Sequence, residues 1–167
     1  MEPTVDITIK NARAYAARND LLVVEQLGFG IHGSVHVVEH KVKRNKAAIK
    51  AHWAREFYLR ERAVYGLLSG AGVTEVLGFH VPQFIRADDD LQVIEMTIVT
   101  RPFVLDFAGA HVGAPPEFSS EIWAEWEAEK REQFGARWRT VQAVMSAFEA
   151  LGVHLVDVSP NNIAFLD

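Results

Sequence analysis

No cysteine occurs among the 167 residues, which excludes disulfides and thiolate zinc sites and makes a reducing cytoplasm the expected compartment. No apolar run approaches the roughly 20 residues that a membrane span needs, and the mean hydropathy is only +0.02. There is no basic excess either. Lys and Arg number 17 against 22 Asp and Glu, a net charge of −5, so nucleic acid is not an expected partner. The opening residues, Met1-Glu2-Pro3-Thr4-Val5-Asp6, lack the basic region and apolar stretch of a secretory signal. What the chain has in quantity is apolar residues, 49% of the total, enough for the core of one domain built in one or two lobes.

The most informative stretch is Leu27-Gly28-Phe29-Gly30-Ile31-His32-Gly33-Ser34-Val35. Glycines at 28, 30 and 33 let a backbone close over a bulky charged ligand. The pattern G-x-G-x-x-G also occurs in dinucleotide-binding proteins, where it opens a helix. Here Leu21 to Leu27 precedes it as a β-like run and the β-branched Val35-His36-Val37-Val38 follows, so it predicts a strand, a glycine loop and a returning strand. An ordinary glycine-rich hairpin fits this stretch equally well. Ala47-Ala48-Ile49-Lys50-Ala51 predicts a third strand, and doubling back brings Lys50 under the loop.

Residues 56–68 have near-helical apolar spacing and carry Glu56 and Glu61. Two strands follow, over 84–87 and 91–96, joined by Asp88-Asp89-Asp90, which reads as a solvated turn. Ser119-Ser120-Glu121 starts a helix running to Phe134, and residues 138–151 carry an apolar face for burial. Residues 1–20 carry no assigned chemistry. Val5 to Ile9 alternates briefly, and Ala12 to Arg18 suits a short helix. His32, His36 and His40 share a strand parity, but without supporting carboxylates or cysteines they do not define a metal face. Beyond the last helix lies Val153-His154-Leu155-Val156-Asp157-Val158-Ser159-Pro160-Asn161-Asn162, followed by an apolar strand.

Taken in order, the glycine loop, Ala-Ile-Lys, Val93-Ile94-Glu95-Met96 and the Asp157 to Asn162 interval resemble the protein kinase-like superfamily, in its atypical bacterial serine/threonine form. The resemblance covers residues 21–167. It implies an α+β fold: an antiparallel β N-lobe with an αC-type helix, over 21–100, and a partial, mainly helical C-lobe over 101–167, preceded by an extension at 1–20. It implies ATP under Gly28, Gly30, Gly33 and Ser34, with Lys50 on its phosphates. Glu61 would pair with Lys50, with Glu56 held in reserve. Ile94 would flank the adenine pocket, and the backbone of Glu95 and Thr97 would read the base. Asp157 would act on the attacking hydroxyl and Asn162 would hold Mg²⁺.

The pattern departs from the family in several places. Leu155 and Val156 stand where His and Arg are usual, Ser159 replaces a lysine, and no Asp-Phe-Gly follows Asn162. Asp167 lies too close to Asn162 to serve as the second metal ligand. Two functions follow as expectations: transfer of the γ-phosphoryl group of MgATP to a protein or small-molecule hydroxyl, or a truncated, non-catalytic interaction module that keeps the nucleotide cleft.

Overall fold

The computed structural model describes residues 3–167. Its elements run, in chain order, α1 (Pro3–Arg18), β1 (Leu21–Gly30), β2 (Gly33–His40), β3 (Lys46–His52), α2 (Arg55–Gly70), β4 (Glu75–Val76), β5 (Phe79–His80), β6 (Phe84–Asp88), β7 (Val93–Met96), β8 (Phe103–Val104), β9 (His111–Val112), α3 (Ser120–Phe134), a 3₁₀ turn (Gly135–Arg137), α4 (Trp138–Ala150), β10 (Val153–His154) and β11 (Ile163–Ala164). The architecture is α+β. Among the described residues, no helix is long and apolar enough to cross a membrane.

The larger sheet has the order β1-β2-β3-β7-β6, with every neighbouring pair antiparallel. Strand alternation divides its side chains between two layers. Ala47, Ile49, Ala51 and Val93 pack with Ala12, Tyr15 and Ala16 of α1. Ala48, Ile94 and Met96 point the other way, into a cluster with Tyr58, Val64 and Tyr65 of α2. The sheet is therefore covered on both faces, and Lys50, which shares the parity of Ala48, lies on the α2 side.

α1 is one continuous helix, where the sequence suggested a short helix after an alternating segment. Its apolar face is narrow, formed by Ala12, Tyr15 and Ala16, and gains its partner only when the sheet forms. The acidic turn is a docking point as well as a turn. Asp88 pairs with Arg18 of α1, and Asp89 accepts hydrogen bonds from Tyr58 and Arg62 of α2.

A second sheet has the order β11-β8-β5-β4, and β9 pairs with β10 alone. It joins segments from both sides of residue 100, and the α2 cluster runs on without interruption into Trp138, Val141, Val144 and Phe148 of α4. Ser119 caps α3 by accepting the Ile122 N–H at 3.3 Å.

Candidate functional site

A cleft of about 290 Å³ opens between the β1–β2 hairpin and the segments around β8 and β11. Gly28, Gly30, Gly33, Lys50, Glu61 and Asn162 line it, as do Met96, Thr97 and Asp106. At its floor the Lys50 ammonium donates to Glu61 Oε2 at 2.9 Å and to Asp106 Oδ1 at 2.6 Å. Lys50 and Glu61 are buried, Glu61 most completely at 1% exposure, and Asp106 is half-buried. A buried charge must be compensated or neutralised, and here charges compensate one another. Burial alone would lower the Lys50 pKa, but Glu61 and Asp106 outweigh it and the net shift is upward. Burial would raise the Glu61 carboxyl, yet Lys50 and His52 hold it below its ordinary value.

Asp106 is the group that sequence reading missed. It follows β8 in the left-handed region, φ 67°, which aspartate tolerates better than most residues. Burial would raise its pKa, but His32 and Lys50 hold it well below the usual carboxylate range. At 3.7 Å the His32 Nδ1 is too distant for a hydrogen bond, so its influence is electrostatic. A signal was present. Asp106 is the lone charge within Phe103-Val104-Leu105-Asp106-Phe107-Ala108, and a charge in so apolar a run needs a partner if the run is buried. The segment is fixed from the far end of the chain: Leu105 N–H donates to the Asn162 carbonyl at 2.9 Å, and Val104 pairs with Ile163.

Asp157 and Asn162 share the turn between β10 and β11. The Asn162 amide nitrogen donates to the Asp157 carbonyl at 3.1 Å, which leaves its Oδ1 free to face a ligand. Asp157 approaches from the side. Its Cβ would lie 2.8 Å from a Cβ on residue 109, so only glycine there admits this position. Its carboxylate reaches to 3.8 Å from His32 Nδ1.

The glycines differ in what they do. A Cβ on Gly33 would meet the Ala51 carbonyl oxygen at 2.0 Å, so this glycine serves the β2–β3 contact. Gly28 and Gly30 face open space on the cleft side, with nothing within 4 Å of an added Cβ. Ser34 is fully buried and bonds His36 Nε2 at 2.9 Å; it does not line the cleft. Glu56 is exposed, and Glu61 is the partner of Lys50.

The strand expected to read a base lies over Val93–Met96, as the sequence suggested, but Glu95 does not line the cleft. Glu95 sits between β3 and β6 with its carboxylate on the α1 face, where it accepts from Tyr15 and Arg86, each at 2.6 Å. Ile94 is buried against α2. Thr97 lines the cleft, but its N–H is given to the Gln83 carbonyl at 2.9 Å. Beside it, Met96, Ile98 and Val99 complete that wall.

Against this geometry, no protein-family model matches the sequence, and no curated protein matches it either.

Proposed function

We propose that the chain is a kinase-like phosphotransferase that binds MgATP in this cleft and passes the γ-phosphoryl group to a hydroxyl. The observation that carries the reading is the Lys50–Glu61–Asp106 cluster beneath the glycine hairpin, with Asn162 on the same cleft. Asp106-Phe107 supplies an aspartate from the segment just after β8, whose residues pair with those that follow Asn162. In this reading the order of parts is permuted relative to the family, with the metal aspartate ahead of the catalytic turn.

The residues fit a magnesium ion. Asp106 and Asn162 offer a carboxylate and an amide oxygen, the hard donors this ion takes. When bound with the nucleotide, the ion would neutralise charge developing on the transferred group. Lys50, fixed by Glu61, would contact the phosphates. Gly28 and Gly30 would let backbone N–H groups approach them, and Asp157 would accept the proton of the attacking hydroxyl. Ile98 and Val99 take the place of Glu95 and Thr97 as the backbone beside the base.

The test is calorimetric titration with ATP, with and without Mg²⁺, for the wild type and Lys50→Ala. Magnesium-dependent binding that the variant loses is expected. A folded wild type that binds no nucleotide would overturn the reading and return the non-catalytic module.

A further inference from the structure

The tip of the glycine hairpin carries a histidine that the nucleotide reading does not use. His32 is only 5% exposed, and its Nδ1 has no hydrogen-bond partner although it is fully enclosed. A buried ring nitrogen left unpaired is destabilising unless something else engages it. The ring is nevertheless held in place. It packs edge-on against Phe57, with centroids 4.5 Å apart. The Trp53 indole donates to the Ile31 carbonyl at 2.6 Å, and the Trp53 N–H to the His32 carbonyl at 3.2 Å.

That nitrogen faces two carboxylates, Asp106 at 3.7 Å and Asp157 at 3.8 Å. One donor atom from each of the three residues lies within 4.8 Å of the others. Three donors about 2.1 Å from a common ion stand about 3.4–3.6 Å apart, so closing the set takes a movement of up to roughly an ångström. The local charge calls for a cation. Glu61, Asp106 and Asp157 bring three carboxylates against the single ammonium of Lys50, a formal excess of two negative charges.

We propose that His32 Nδ1, Asp106 and Asp157 form a site for a divalent transition-metal ion of the zinc or manganese class, which fastens the glycine hairpin down over the cleft. Imidazole with carboxylates suits these ions, whereas magnesium prefers oxygen donors alone. The ion would join the hairpin (His32), the β8 segment (Asp106) and the β10–β11 turn (Asp157), three pieces otherwise distant in sequence. Gly109 contributes by admitting Asp157 to the third position. The site shares Asp106 and Asp157 with the proposed nucleotide site, but metal binding is measured without nucleotide, so the two readings are tested separately.

The experiment is calorimetric titration of the metal-free chain with ZnCl₂, and separately with MgCl₂, in the absence of nucleotide. Wild type, His32→Ala and His154→Ala are compared. His154 faces His111 across the β9–β10 pair and is the competing place for adventitious zinc. One zinc ion per chain is expected, bound more tightly than magnesium. Its affinity should fall roughly 100-fold or more in His32→Ala and stay unchanged in His154→Ala. No zinc binding, a His32→Ala titration like that of wild type, or loss in His154→Ala alone would overturn the proposal. If circular dichroism shows His32→Ala unfolded, Asp157→Ala, on a partly exposed turn, takes its place with the same loss expected. A chain that binds zinc but not ATP would keep this site while refuting the nucleotide reading.

Discussion

Replacing Lys50 by methionine removes the one cation that compensates Glu61 and Asp106 while keeping most of the volume of the side chain. The two carboxylates then respond differently. Asp106 has a side chain 20% exposed and can turn toward water in the cleft. Glu61, at 1%, cannot, and its remaining neighbour is His52 Nε2 at 3.6 Å. Breaking a buried pair by removing one partner costs about 3–5 kcal/mol, mostly from the stranded charge. For a chain of this size each kcal/mol moves the melting temperature by about 2–4 °C, so Lys50→Met should melt roughly 10 °C lower. The asymmetry sharpens the prediction. Adding Glu61→Leu should recover half or more of the loss, because an apolar pair of similar volume replaces the ion pair, whereas adding Asp106→Asn should recover less than about 1 kcal/mol. Urea unfolding at pH 7 followed by circular dichroism measures all four proteins. A Lys50→Met loss below about 1 kcal/mol, or a larger rescue by Asp106→Asn than by Glu61→Leu, would refute the reasoning.

The same cluster sets an acid limit. Asp106 and Glu61 both titrate below their ordinary values in the folded chain, so the unfolded chain takes up protons first. Their contribution is full above the unfolded carboxyl range and is lost as pH falls below about 4. Urea midpoints between pH 7 and pH 3 should drop steeply at the acid end, and less steeply in the Lys50→Met/Glu61→Leu protein; equal slopes would contradict this. Among the glycines, Gly33→Ala drives a Cβ into the Ala51 carbonyl and should cost about 1–3 kcal/mol or more. Gly30→Ala meets open space and should change stability by less than about 0.5 kcal/mol. Thermal melts that fail to separate these two would count against the hairpin geometry.

The hairpins and the helices over 55–70, 120–134 and 138–150 were legible because their apolar residues keep strand or helix periodicity over several turns. Glu61 was named as the partner of Lys50 through the family resemblance, with Glu56 in reserve, and only the folded helix chooses between them. Glu95 was not. Val93-Ile94-Glu95-Met96 reads as one apolar strand, and nothing local says that its alternate residues face different layers, with α1 taking Glu95 and α2 taking Met96. α1 was read only in its second half, because its packing face exists only in relation to the sheet. Asp106 was passed over because it is far in sequence from Asn162, and only the pairing of β8 with β11 brings the two segments together. His32 was grouped with His36 and His40 by parity, but those two are engaged within the hairpin itself and with the turn after β2, while His32 lines the cleft.

The pairing of β8 with β11 has a consequence for how the protein is made. A chain emerging from the ribosome presents Lys50, Glu61 and Asp106 early, and those three can find one another once residue 106 is free. The strand that anchors the Asp106 segment, and the turn that bears Asp157 and Asn162, come only after both α3 and α4. In that interval β5 and β8 lack their cover, and the apolar faces awaiting Val141, Val144 and Phe148 stand open to solvent. Until those residues arrive, the Asp106 segment lacks its anchor and the surrounding core is incomplete. Such a state invites association with other unfinished chains and capture by chaperones.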